Sequence, residues 1–123
     1  GYFAQYFARR LDAKCVLINP ALEPTKTLQN YLGENTNYYT GEKYTLTQEN
    51  IDAFKHYSID NYYHEFGTLL LLDKGDELID YTVAADKYHG KADRVFFEDG
   101  SHRFEHMEEA IPIIKLYYNS IWA

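Results

Sequence analysis

The chain of 123 residues has the length of one modest domain, with 46% hydrophobic and 25% charged residues, which is typical of a globular protein. Its net charge of −7 and its scattered Lys and Arg residues argue against nucleic-acid binding, because phosphate recognition needs clustered positive charge. No apolar run approaches the roughly 18 residues of a membrane span, and no signal-peptide pattern is present. We therefore expect neither nucleic acid nor membrane as a partner.

Cys15 is the only cysteine and lies inside an apolar run. Neither a disulfide nor a thiolate metal site can form within the chain, so we interpret Cys15 as a buried, inert thiol. A reducing, cytoplasmic setting fits this interpretation.

The first predicted element is an amphipathic helix over residues 2–11. Its apolar side chains recur at helical spacing, and they are Tyr2, Phe3, Tyr6, Phe7 and Leu11. Because such a helix needs a partner face, and because the chain begins with Gly1 rather than Met, we expect it to be part of a longer protein.

Three short apolar runs, residues 15–18, 68–72 and 94–97, predict strands. Runs of this length without polar alternation are typical of parallel strands buried on both faces. Helical patterns follow at residues 78–88 and 104–121, with a kink or restart expected at Pro112. The alternating order predicts an α/β fold, in which a parallel sheet is flanked by helices.

Residues 21–66 form a long, tyrosine-rich insertion within this single α/β domain. Thr47 is a candidate N-cap for a helix ending near Tyr57, with Asn50 in the capping-box position. The insertion is interpreted either as a cap over a pocket or as a packed excursion without a role in binding. Its tyrosines are expected to pack at the edge of a core rather than to form a stacking platform.

Two loops follow the second and third strands, where open parallel sheets bind their ligands. Residues 73–77 offer Asp76, and residues 98–103 offer His102. A carboxylate that accepts a hydrogen bond from Nδ1–H of a histidine leaves Nε2 free to take a proton from a nucleophile. The order of acid and then histidine, each after its own strand, is that of an α/β-hydrolase triad. Each residue has an alternative role as a turn or helix-cap residue.

Other residues compete for these roles. Asp73 is the main rival acid, with Asp80 and Asp99 as further carboxylates. A metal site from His102 and His106 with Glu105 or Glu109 is disfavoured, since no His-Glu-x-x-His string exists, and His106 is expected on a solvated helix face. The remaining histidines are expected at the surface, namely His56, His64 and His89.

Several strings, in this order, resemble the YqiA-like bacterial esterases, small α/β-hydrolases that act on short acyl esters. They are Gly-Tyr-Phe-Ala at residues 1–4, Leu-Ile-Asn-Pro-Ala at 17–21, Tyr-Leu-Gly-Glu-Asn-Thr-Asn at 31–37, Tyr-Thr-Gly-Glu at 39–42, Gly-Asp-Glu at 75–77 and Gly-Ser-His-Arg-Phe at 100–104. The resemblance implies the C-terminal part of an α/β-hydrolase, with Asp76 as the triad acid and His102 as the triad histidine. It implies a small-molecule ester substrate and no metal or organic cofactor.

In that family the nucleophile elbow, Gly-Ser-Ser-Leu-Gly, directly precedes the Gly-Tyr-Phe-Ala segment, so the resemblance places Gly1 just after the nucleophile. The serines of this chain, Ser58, Ser101 and Ser120, do not occupy such an elbow. We expect esterase activity in the parent protein and none in this chain alone. The alternative is a non-catalytic fragment or interaction module, whose exposed sheet edge would favour self-association into a homo-oligomer.

Overall fold

The computed structural model describes residues 1–120. The chain divides into two compact units, one comprising Gly1–Leu22 and the segment from Ile59 onward, the other comprising Glu23–Ser58. The larger unit contains α1 (Tyr2–Arg10), β1 (Cys15–Ile18), β4 (Thr68–Asp73), α4 (Tyr81–Lys87), β5 (Asp93–Phe97) and α5 (Met107–Ser120). The smaller unit contains α2 (Pro24–Thr27), β2 (Gly33–Thr36), β3 (Lys43–Leu46) and α3 (Gln48–Ala53), with 3-10 turns at Leu28–Tyr31 and Phe54–Tyr57.

The sheet of the larger unit is parallel and has the order β1-β4-β5. The central strand β4 is buried along its whole length. Leu70 and Leu72 pack with Leu17 on one face, whereas Leu69 and Leu71 pack with Phe104 on the other. Burying one leucine side chain contributes about 2 kcal/mol, which explains why a run without polar alternation forms this strand. The predicted α/β fold is confirmed.

Two helices begin three residues later than the sequence pattern indicated. Helix α4 begins at Tyr81 because Asp80 is its N-cap and accepts a hydrogen bond from the amide of Thr82. Helix α5 begins at Met107 rather than at residue 104. It continues past Pro112 without a restart, and its predicted end, Ile121, lies outside the described residues.

The smaller unit contains an antiparallel β2–β3 hairpin that the sequence reasoning missed. Asn37 organises its turn by accepting hydrogen bonds from the amides of Tyr39 and Thr40, and Gly41 adopts a φ of 72°. The predicted capping box is present, because Thr47 and Asn50 each accept the other's backbone N–H. This unit spans residues 23–58, whereas the predicted insertion spanned 21–66; the role of the insertion as a cap stays a prediction.

The burial of several side chains differs from the sequence prediction. Cys15 is buried as expected, but His64 is also buried, and its Nε2 lies 2.7 Å from the carbonyl oxygen of Ala13. Tyr38 and Tyr39 are almost fully exposed rather than packed at a core edge. No helix within residues 1–120 is both long and apolar enough to cross a membrane.

Candidate active site

The two loops singled out from the sequence lie together at the carboxyl edge of the sheet. Strands β4 and β5 pair in parallel up to the partners Asp73 and Phe97. The pairing continues into the loops, where the amide of Lys74 donates to the carbonyl of Phe97 and the amide of Gly75 to that of Asp99. The two backbones are so close that a Cβ on Gly75 would lie 2.5 Å from the carbonyl oxygen of Gly100. Only glycine fits there without a shift of the backbone.

Asp76 is held by its own turn. Its Oδ1 accepts hydrogen bonds from the amides of Leu78 at 3.0 Å and Ile79 at 2.9 Å, the arrangement of an Asx turn. The side chain is only 2% exposed. With Oδ1 engaged, Oδ2 is directed to Nδ1 of His102 at 2.9 Å. Both carboxylate oxygens are therefore used, and the turn defines which one meets the imidazole.

His102 is oriented by two acidic residues of the facing loop. Because the Asp76 carboxylate can only accept, Nδ1 of His102 carries the donated hydrogen. The backbone amide of His102 donates to Oε2 of Glu77 at 3.1 Å. The ring is 38% exposed, and its Nε2 makes no hydrogen bond with the described part of the chain. This is the tautomer and orientation in which a histidine exchanges a proton through Nε2.

The structure pairs Asp73 with a different histidine. Asp73 is completely buried, and its Oδ1 lies 2.6 Å from Nδ1 of His106. The ring of His106 stacks on Phe97 with 4.8 Å between centroids. The expectation that His106 lies on a solvated helix face is therefore wrong, since it precedes α5 and packs against the end of the sheet. Two Asp–His pairs therefore lie at this edge of the sheet. The side chain of His102 is 38% exposed and that of His106 is 23% exposed.

Charged residues surround this edge. Nζ of Lys74 lies 2.8 Å from Oε1 of Glu98, and this hydrogen bond raises the pKa of the Lys74 ammonium group. Hydrogen bonds from Thr82 lower the pKa of Asp80, which caps α4. Asp80 therefore serves as a helix cap.

Within residues 1–120, no group of three or more His, Cys, Asp or Glu side chains is placed to hold a metal ion. The serines are engaged elsewhere: Ser101 accepts from the amide of Arg103, and Ser58 and Ser120 donate to carbonyls of their own helical turns.

Sequence reasoning missed two polar residues near the pair. Glu77 follows Asp76 in the same loop, and its carboxylate accepts the His102 amide. Asn19 is buried at the end of β1 and donates to the carbonyl of Ser101. A signal was available for Asn19, because an asparagine directly after a buried parallel strand lies at the same edge as the other two loops.

Comparison with known proteins gives two findings. The profile of a family described as "Uncharacterised protein family (UPF0227)" matches residues 1–119. A solved structure titled "Crystal structure of Putative hydrolase from Agrobacterium vitis S4" is similar at a TM-score of 0.54 and 21% sequence identity. The match covers 82% of this chain and 49% of that one, so the chain spans about half the length of that protein. This likeness concerns the fold, which agrees with the α/β fold, a parallel sheet flanked by helices, predicted from the sequence.

Proposed function

The chain belongs to the family UPF0227, and from that premise we propose that it supplies the acid and the histidine of a serine-hydrolase triad. In the full-length protein, Asp76 and His102 act with a serine outside these 123 residues to hydrolyse carboxylic esters with short acyl chains. The resemblance of the sequence motifs to the YqiA-like esterases supports the choice of esters.

The observation that carries the proposal is the contact between Oδ2 of Asp76 and Nδ1 of His102 at 2.9 Å. The acid follows β4 and the histidine follows β5, the neighbouring strand in a parallel sheet. The acid is buried and the histidine is partly exposed, which suits a carboxylate that orients an imidazole facing a substrate.

The proposed reaction proceeds by acyl transfer. Nε2 of His102 takes the proton of the serine hydroxyl as the serine oxygen bonds to the carbonyl carbon of the ester. The imidazolium then gives this proton to the leaving alcohol oxygen as the carbon–oxygen bond breaks, which leaves an acyl-enzyme. His102 next takes a proton from water, whose oxygen attacks the acyl carbon, and returns that proton to the serine as the acid is released. Asp76 keeps Nδ1–H in place and stabilises the imidazolium in both halves of the reaction.

The test is the steady-state hydrolysis of p-nitrophenyl butyrate by the full-length protein and two histidine variants. His102→Ala should lower kcat/KM at least about a thousandfold, because it removes the proton acceptor. His89→Ala is the matched control, since His89 is exposed and contacts Arg94, and its kcat/KM should stay within about twofold of wild type. Undiminished turnover in His102→Ala would contradict the triad. An inactive wild-type protein would favour the non-catalytic alternative.

A further inference from the structure

The loop that carries His102 has an unfavourable backbone. This histidine loop, residues 98–106, connects β5 to α5. Asp99 and Phe104 adopt positive φ values of 55° and 64°, and Gly100 has a φ of 78°. A non-glycine residue in the left-handed region costs about 1 kcal/mol. Such a loop keeps one conformation only when contacts from outside it hold it in place.

Asp73 makes these contacts from the end of β4. Its Oδ2 accepts the amides of Ser101 at 3.2 Å and Glu105 at 2.8 Å. Its Oδ1 meets Nδ1 of His106 at 2.6 Å. The three donors lie on both sides of His102 in the sequence. Because Asp73 is completely buried, its carboxylate depends on these hydrogen bonds to offset the solvation that it loses on burial.

Asn19 links Asp73 to the same loop from the neighbouring strand. Its Oδ1 accepts the amide of Asp73 at 2.9 Å, and its Nδ2 donates to the carbonyl of Ser101 at 3.0 Å. Asn19 is 5% exposed and adopts a φ of 42°. The ends of two strands thus hold both the amide and the carbonyl of the residue immediately before His102.

The carboxylate of Asp73 packs closely against the backbone of the histidine loop at Gly100. A Cβ on Gly100 would lie 2.1 Å from Oδ2 of Asp73 and 2.4 Å from its Cγ. The carboxylate therefore packs directly against the loop backbone, and a side chain at position 100 would displace one of them.

From these contacts we propose that Asp73 is the positioning residue for His102. Oδ1 of Asp76 is held by the amides of its own turn, so the 2.9 Å contact between Asp76 and His102 depends on where the histidine loop lies. The Asp73 side chain bonds to the loop backbone and to His106 rather than to the imidazole of His102, so it acts through the loop. The inference rests on the proposed function for its catalytic consequence, whereas the anchoring itself is independent of it.

The first test compares Asp73→Asn with Asp99→Asn in the full-length protein. Both changes remove one carboxylate at the same end of the sheet, but Asp99 is exposed and Asp73 holds three donors. The NH2 group that replaces one carboxylate oxygen in asparagine cannot accept a hydrogen bond, so Asp73→Asn should loosen the loop. We expect kcat for p-nitrophenyl butyrate to fall about tenfold to a hundredfold with KM nearly unchanged, as for a small misplacement of a catalytic group. Asp99→Asn should leave both constants unchanged.

The second measurement does not require activity. The Nδ1–H proton of His102, observed by NMR, should exchange with water faster in Asp73→Asn than in wild type or Asp99→Asn. A folded Asp73→Asn protein with wild-type exchange and wild-type kcat would overturn the proposal. If the wild-type protein hydrolyses no ester, the proposed function fails, and the exchange rates still test the anchoring.

A rescue pair covers the case in which Asp73→Asn does not fold. His106→Phe keeps an aromatic ring against Phe97 but removes the donor to Asp73, whereas His106→Asn retains an N–H at the position of Nδ1. We expect a lower kcat in His106→Phe and recovery in His106→Asn, which mere ring packing would not produce. Equal kcat values in the two variants, or a lower value in His106→Asn, would contradict the proposal.

Discussion

Oδ2 of Asp76 lies 2.9 Å from Nδ1 of His102, although 26 positions separate the two residues in the sequence. Each follows a strand, and the two strands are neighbours in one parallel sheet, so their carboxyl ends meet at one edge. The remaining oxygen of Asp76 accepts the amides of Leu78 and Ile79. The turn that follows β4 thus orients the Asp76 carboxylate toward His102.

Replacing Asp76 should reduce catalysis far more than it reduces stability. Asp76→Asn presents an amide that no longer enforces the Nδ1–H tautomer, and kcat should fall by about 10⁴, as expected for loss of the carboxylate from a triad. The measurement is kcat for p-nitrophenyl butyrate in the full-length protein. Asp80→Asn is the control, because asparagine also caps helices well and kcat should stay near wild type. Equal losses in the two variants would contradict the role of Asp76.

Gly75→Ala should disturb the site through sterics alone. The new Cβ would meet the backbone of Asp99 and Gly100 at 2.5–2.7 Å, and such overpacking costs about 1–3 kcal/mol. The shift should also lower kcat, because it moves the histidine loop away from Asp76. The free energy of unfolding in urea and kcat are both measured.

Gly90→Ala provides the comparison for Gly75→Ala. A Cβ on Gly90 meets nothing within 4 Å, but Gly90 has a φ of +70°. It should therefore lose about 1 kcal/mol of stability from backbone strain while kcat stays unchanged. A wild-type kcat in Gly75→Ala would show that the close approach of the two loops does not position His102.

The capping box of α3 should contribute measurably to the stability of the smaller unit. Thr47→Ala removes the acceptor for the amide of Asn50, and Asn50→Ala removes the acceptor for the amide of Thr47. Each change should cost about 1 kcal/mol, and the double variant should cost less than the sum because the two bonds are reciprocal. Hydrogen exchange of the α3 amides measures the loss. Strict additivity would argue against a coupled box.

The thiol of Cys15 should be unreactive in the native protein. Burial raises its pKa, so the thiolate fraction at pH 8 is smaller than that of a free cysteine, and access is blocked as well. Alkylation by iodoacetamide, followed at the peptide that contains Cys15, should be at least about tenfold slower in the native state than in urea. Similar rates in both states would show that the thiol is accessible.

The strands and the two loops could be predicted because their signals are local. Four consecutive leucines at 69–72, preceded by Gly67-Thr68 and followed by Asp73, leave few alternatives to a buried strand. Parallel strands place their following loops at one edge, which predicts the proximity of residues 76 and 102 without coordinates. The first residues of the helices were harder to predict from the apolar pattern. Asp80 caps α4, and Phe104 has a positive φ of 64°, which is incompatible with a helix at that residue.

The role of Asp73 could not be predicted, because it depends on the geometry of several backbone groups. In the sequence, Asp73 and Asp76 are equivalent carboxylates in one loop. They differ because β4 extends to Asp73 and buries it, whereas Asp76 lies in the turn that follows. The β2–β3 hairpin was also missed, since its strands are polar and half-exposed and carry no hydrophobic alternation.

Covalent labelling of the nucleophile tests directly whether His102 activates a serine outside this chain. The full-length protein is treated with diethyl p-nitrophenyl phosphate, which phosphorylates serines activated by a histidine, and the modified peptide is identified by mass spectrometry. We expect one adduct, on a serine outside residues 1–123, with its formation slowed at least about a thousandfold by His102→Ala. An adduct on Ser58, Ser101 or Ser120, or an undiminished rate in His102→Ala, would contradict this expectation.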